Sequence, residues 1–336
     1  ALGQHVPSIS HRSAAFRGSY AHTTQMLREL LHVPEDAEIL YFSSATEIWE
    51  RLLHNYSGPG FFFVNGDFST RFRTFAEKME RKSSSVEAPF GEGFAMEKVH
   101  IPEGTQLVGM IGNETSTGVW TPAASYYEVI ERFPQPLHIV DMTSAFPTYR
   151  LDFSKVDGAY FSVQKGFGLP AGLGVLILGN RALAALGPGE SDDPMVTEYR
   201  GVHRDFRAML EKSAKDQTVE TPNVLGIYLL GRVAEHMLSR GEELFTTAQE
   251  TAEALYRFFD GSRWQPAVDT PRWRSETVVG LDAPDRAEEI VERLAGKGLI
   301  IGAGYGSRKK DQLRIANFPA HTPAQMERLL AAFGNI

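Results

Sequence analysis

Short apolar runs of strand length alternate with stretches of helical spacing along most of this chain. Glu38 to Phe42, Phe61 to Val64, Gln106 to Ile111, Leu137 to Val140, Ala159 to Val163 and Val175 to Leu178 have the length and the β-branched or aromatic content of buried strands. Tyr20 to His32, Ala45 to His54 and Ser69 to Lys82 carry helical periodicity, the second with a serine or threonine available as N-cap. This alternation predicts an α/β fold: a mostly parallel sheet covered by helices on both faces. Farther on, Asn223 to Ser239 and Leu244 to Phe259 read as helices. VVGL, a helix from Asp285 to Lys297, LIIG, LRIANF and a last helix from Pro323 to Phe333 then alternate again. The pattern predicts a large domain over residues 14–235 and a smaller C-terminal α/β domain over 236–336, with residues 1–13 packing near the smaller one.

Ligands of such sheets bind beyond the carboxyl ends of the strands, so those ends are where the chemistry is sought. Ser43-Ser44-Ala45-Thr46-Glu47 follows the first strand and opens a helix, offering backbone N–H groups and a helix dipole to an anion. Taken alone, an ordinary N-cap is the plainer reading. The next strand leads into Phe68, and the strand ending at Ile111 into GNETSTG, which is dense in short hydrogen-bonding side chains. Asp141 follows Val140 directly, and Lys165 follows the run that ends at Val163, inside a segment holding Gly166, Gly168, Gly172 and Gly174. A lone lysine usually snorkels to water. Glycines that permit close backbone approach favour a desolvated one instead, able to act as a free amine. An anion-binding turn, an aromatic ring, a threonine, an aspartate and a lysine on one sheet edge together describe a pyridoxal phosphate site. Lys165 would form the imine, Asp141 would face the pyridinium nitrogen, Phe68 would stack on the ring and a helix N-terminus would take the phosphate.

Composition narrows the field. The 336 residues carry a net charge of −8, which argues against a nucleic-acid partner bound through a basic footprint. No cysteine is present, so disulfides, thiolate metal sites and sulfur-carrier mechanisms are excluded. The first residues lack the features of a signal peptide and no apolar run is long enough for a membrane helix, so a soluble, cytoplasmic protein is expected.

ISHRSAAF, GNETSTG, the block from VDMTS to QKGFGLPAGLG, ETPN and RIANFPAH are where the chain resembles a known family, the phosphoserine aminotransferases in class V of the fold-type I pyridoxal phosphate enzymes. The resemblance runs from about Ile9 to the C-terminus. It implies a mostly parallel seven-stranded sheet in the large domain and a homodimer with shared active sites. It further implies ping-pong transfer of an amino group from glutamate to 3-phosphohydroxypyruvate, giving O-phosphoserine for serine biosynthesis. By the same resemblance Lys165 is the Schiff-base lysine and proton carrier, Asp141 the partner of the pyridine nitrogen, and Thr115 the donor to the ring hydroxyl. Phe68 takes the stacking position. Ala45, Thr46 and Gln164 hold the cofactor phosphate, with Thr221 from the other subunit. His11 and Arg12 reach a neighbouring subunit's site, Arg314 clamps the α-carboxylate, and Arg308 is preferred to Lys309 and Lys310 for the substrate phosphate. Glu220 stands where many relatives have asparagine and is given no cofactor role. Relatives usually begin with a longer leading segment, so a shortened N-terminal segment is expected here.

LIIGAGYGS imitates a dinucleotide-binding fingerprint, but Ser307 stands at its last glycine position and no helix-opening pattern follows. It reads instead as a glycine-rich loop near the substrate entrance. Among rivals, a cysteine desulfurase lacks its nucleophile. Alanine:glyoxylate or serine:pyruvate aminotransferase is the main alternative, and a non-catalytic relative of the same fold is the other.

Overall fold

The computed structural model describes residues 9–186 and 202–335; residues 1–8 of the expected N-terminal segment lie outside them. The order of elements begins α1 Ala14–Leu31, β1 Glu38–Phe42, α2 Ala45–Asn55, β2 Gly60–Val64, α3 Asp67–Lys78, β3 Ser83–Glu87 and β4 Leu107–Ile111. A small hairpin, β5 Asn113–Glu114 and β6 Val119–Trp120, precedes α4 Ala123–Arg132, β7 Leu137–Asp141, β8 Gly158–Ser162, β9 Gly174–Leu178 and α5 Asn180–Ala185. After α6 Phe206–Ser213 come α7 Val224–Arg240, α8 Glu243–Asp260, β10 Gln265–Pro266, β11 Val278–Asp282, α9 Ala287–Ala295, β12 Gly302–Ala303, β13 Gln312–Ala316 and α10 Pro323–Gly334.

Seven strands form one sheet in the order β1-β9-β8-β7-β4-β2-β3, parallel except for β9, which runs against both its neighbours. The strands are apolar on both faces because both faces are covered. Phe61 and Phe63 of β2 point into a core shared with Phe16 and Leu27 of α1 and Leu230 of α7. Phe62 and Val64 point into the opposite core with Trp49 of α2, Phe72 of α3 and Phe206 of α6. A third core joins Leu255 and Phe259 of α8 to Leu281 of β11, Ile290 of α9 and Phe333 of α10 around the four-stranded sheet β10-β11-β13-β12.

Several elements differ from the expectation. Helix α1 starts at Ala14, six residues before the apolar period shows, because the Ser13 hydroxyl caps it by accepting from Phe16 N at 3.2 Å. The helix expected over Ser69 to Lys82 runs from Asp67 to Lys78, and strand β3 beyond it is not among the expected strands: its Ser-Ser-Ser-Val-Glu sequence is polar because it forms the sheet's half-exposed edge. LIIG is no strand: Ile300 is 83 % exposed, and only Gly302 and Ala303 pair, with β13. Helix α7 runs unbroken across the division expected at 235/236, and the chain passes from the first core to the third within α8, between Leu244 and Leu255. Ile9 packs against the first core rather than the small unit. Among the described residues no helix is long and apolar enough to cross a membrane.

Candidate active site

The parallel registers bring the loops after β1, β2, β4, β7 and β8 to one sheet edge. A cavity there is lined by Ala45, Thr46, Phe68, Thr115, Asp141, Gln164 and Lys165, joined by Ser44, Trp49, Asn113, Thr143, Ser162 and Tyr305. Seven residues expected to form the cofactor site from scattered positions therefore line one cavity.

Asp141 ends β7 fully buried. Its Oδ1 accepts from Thr143 N at 2.7 Å, and the Tyr160 hydroxyl lies near enough to help hold the carboxyl down. Trp49 Nε1 in turn donates to Tyr160 Oη at 2.6 Å, which holds that hydroxyl in place. Burial pushes the Asp141 carboxyl up to about 6, against the hydrogen bonds from Thr143 and the pull of the Tyr160 hydroxyl, with nearby Glu114 raising it further. Lys165, half-buried in the connection from β8 to β9, is shifted the other way. Desolvation lowers its amine, Arg314's charge lowers it further, and Asp141 opposes both. A carboxyl raised and an amine lowered in one cavity is the pattern of groups poised for proton work.

The anion-binding turn is built as the sequence suggests. Ser44 caps α2, its hydroxyl accepting from Glu47 N at 3.2 Å. Ala45 N donates to Ser162 Oγ at 2.7 Å, so the N–H of Ala45 is already committed within the chain and Thr46 beside it brings a further N–H and a hydroxyl. Gly174 makes the close fit possible: a Cβ there would lie 2.6 Å from the Ser44 carbonyl carbon. Gly174→Ala should therefore push the turn out of place at a cost of about 1–3 kcal/mol. The expected result is pyridoxal phosphate binding weakened roughly tenfold or more, measured by cofactor titration.

Across the cavity, Thr115 Oγ1 donates to Ser144 Oγ at 2.8 Å, and Asn113 Nδ2 ties that serine to Thr277 of the small unit. The ring of Phe68 lies 5.1 Å from that of Tyr305 in a tilted contact. Arg314 approaches from β13, its Nε donating to Ala303 O at 2.9 Å and its Nη1 to Thr115 O at 3.3 Å, with its guanidinium 4.7 Å from the centre of the Tyr305 ring. The glycine-rich loop expected near the substrate entrance thus contributes Tyr305.

Four expected residues stand elsewhere. Arg308 is ion-paired to Asp282 at 2.6 Å and lies over the Phe90 ring. Arg12 donates to the carbonyl of Thr218 at 3.0 Å and to that of Val219 at 3.4 Å, and His11 lies beside it, outside the cavity lining. Thr221 is exposed in an adjoining groove with Ser43, Glu47, His203 and Glu220.

The donor set fits pyridoxal phosphate. Buried Asn113 Oδ1 and Thr143 Oγ1 line the cavity without a hydrogen-bond partner among the described residues, and Asp141 is a buried carboxylate placed to receive a cation. Sequence reasoning missed Trp49, Tyr160, Ser162, Tyr305 and Glu114. Of these only Glu114 carried a local signal, a charge set among the small residues of a strand end.

Comparison with known proteins follows the same line. Residues 2–263 match the model of the family described as aminotransferase class-V. A phosphoserine aminotransferase of Rhodococcus opacus is 25% identical over 343 residues, covering 98% of this chain and 87% of that protein. The crystal structure of a phosphoserine aminotransferase from Cytophaga hutchinsonii superposes with a TM-score of 0.93 at 35% identity, over 100% of this chain and 92% of that one. An aspartate aminotransferase from Thermus thermophilus superposes with a TM-score of 0.86 at 25% identity, over 99% of this chain and 94% of that one.

Proposed function

This chain belongs to the class-V aminotransferase family, and from that premise we propose that it transfers an amino group from glutamate to 3-phosphohydroxypyruvate, giving O-phosphoserine and 2-oxoglutarate in serine biosynthesis. It is a pyridoxal-phosphate-dependent aminotransferase. The observation that carries the reading is the gathering of Lys165, Asp141, Thr115, Phe68 and a helix N-terminus in one cavity, in a chain related along nearly its whole length to phosphoserine aminotransferases.

Bound in this cavity, pyridoxal phosphate supplies a carbonyl carbon that takes up the amino group and a ring that withdraws electrons from it. Lys165 Nζ, whose charged form is disfavoured by burial and by Arg314, would remove the proton from the substrate α-carbon and return it on the other side of the exchange. Asp141 would hold the proton on the ring nitrogen, Thr115 would face the ring hydroxyl and Phe68 would cover the ring. The turn at Ala45 and Thr46, with Gln164, binds the phosphate. Arg314, steered by the carbonyls of Ala303 and Thr115, receives the substrate carboxylate. His11, Arg12 and Thr221 serve the neighbouring site of a homodimer working in the cytoplasm.

One observation favours a second reading. Arg308, the residue preferred for the substrate phosphate, is already neutralised by Asp282, and a carboxylate beside it opposes a dianion. That suits a class-V aminotransferase for unphosphorylated acids, such as an alanine:glyoxylate or serine:pyruvate enzyme. Purified protein should turn over glutamate with 3-phosphohydroxypyruvate faster than alanine with glyoxylate or serine with pyruvate, followed by release of the keto acid. The reverse order would replace the first reading with the second.

A further inference from the structure

We propose that Glu114 is a positioning residue that locks the ring-stacking wall of the site to the hairpin turn bearing Thr115, so that Phe68 and Thr115 meet the cofactor as one rigid unit. The proposal rests on reading the cavity as the pyridoxal phosphate site.

Glu114 is fully buried, with a side chain that neighbours two functional residues without lining the cavity itself. Its Oε2 accepts from Ser69 N at 2.9 Å. Its Oε1 accepts from Phe68 N at 3.4 Å, from Ser116 N at 3.2 Å and from Ser116 Oγ at 2.6 Å. All four donors are backbone N–H groups or a hydroxyl; none is a lysine or arginine. Two of them are first-turn N–H groups of α3, the positive end of the helix that carries Phe68.

Helices usually supply their own cap from the residue just before them. Here that residue is Gly66, which has no side chain, and any Cβ placed on it would lie 2.6 Å from Glu114 Cδ. The cap comes instead from β5, one residue before Thr115. Ser116 completes the clamp: it donates to Glu114 and accepts from Asp67 N at 2.9 Å. The N-terminus of α3 and the Asn113–Ser116 segment are thereby fastened at both ends. A sideways shift of Phe68 would have to break a bond to a buried carboxylate, which costs more than breaking one to a neutral acceptor.

The test is Glu114→Gln in the full-length enzyme, compared with wild type by pyridoxal phosphate titration, by visible circular dichroism at saturating cofactor, and by the split between kcat and KM. Glutamine keeps the shape but turns one acceptor oxygen into a donor facing other donors. The expected result is cofactor affinity lowered about tenfold to a hundredfold, the range for leaving a buried donor unsatisfied. The visible dichroism should also be altered even at saturation, with kcat falling more than KM changes. A merely structural cap would lower the melting temperature and leave the dichroism of the saturated cofactor at its wild-type value, and that outcome would overturn the proposal. If Glu114→Gln does not fold, Ser116→Ala removes the shortest of the four bonds and keeps the carboxylate. It should shift the dichroism in the same direction by less, and an unchanged signal would again overturn the proposal. A wild type that binds no pyridoxal phosphate would overturn the cofactor reading together with this one, whereas a variant that matches a binding wild type overturns this one alone.

Discussion

Replacing Lys165 by alanine should abolish aminotransferase turnover, lowering kcat by at least the roughly 10²–10⁴-fold that a positioned acid–base group supplies, while the protein stays folded. Lys165 is half-buried, its charge is disfavoured by burial and by Arg314, and its amine makes no hydrogen bond among the described residues. Removing it therefore takes away a nucleophile and proton carrier without opening a tightly packed core. The melting temperature should stay within a few degrees of wild type, while the visible absorption of the cofactor changes. Lys165→Arg sharpens the test, because guanidinium keeps the positive charge but stays protonated and cannot serve as a free amine. It should be as inactive as the alanine variant. A small primary amine added to Lys165→Ala should restore part of the turnover, in proportion to its concentration. Retained turnover in either variant would sink the assignment of Lys165.

The ease of reading Lys165 and the difficulty of reading Glu114 or Tyr160 have one physical cause. A parallel sheet delivers every strand's carboxyl end to the same edge, so residues just after apolar runs can be grouped before any contact is known. Asp141, Phe68, Thr115, Ala45 and Lys165 all stand at such positions, and all line one cavity. The supports behind them follow no such rule. Tyr160 lies inside a buried strand, and only packing against α2 shows that its hydroxyl is held by Trp49 near Asp141. Ser162 meets Ala45 across 117 residues of chain.

Fold boundaries failed where the local pattern and the burial disagree. Strand β3 is polar because it lies at the sheet edge, and Leu299-Ile300 is apolar yet forms no strand. Arg308 shows the limit for charges. A basic run is visible in sequence, but its commitment to Asp282 arises from pairing between β11 and the loop after β12.

Asp141→Asn should produce opposite effects on catalysis and on stability, and that opposition separates a functional carboxylate from a structural one. The Asp141 carboxyl is raised from 3.8 to about 6 by burial. In the protein freed of cofactor, the folded state thus holds a proton between these two values that the unfolded chain has released. Stability falls as pH rises through that window, and above about pH 6 the full cost of the buried charge is present. At about 1.4 kcal/mol per pK unit, that cost is on the order of 3 kcal/mol. Asparagine keeps the acceptor for Thr143 N and carries no charge, so the cofactor-free variant should melt higher than wild type above pH 6 and lose the fall between about pH 4 and 6. With pyridoxal phosphate bound, the advantage reverses. The wild-type carboxylate gains a cationic partner at the ring nitrogen and the variant does not, so the cofactor should bind more weakly and kcat should drop by roughly 10³-fold. Thermal melts from pH 4 to 8, with and without cofactor, beside steady-state rates at pH 8, would read all three effects. An Asp141→Asn variant that is less stable than wild type without cofactor and equally active with it would refute the role given to Asp141.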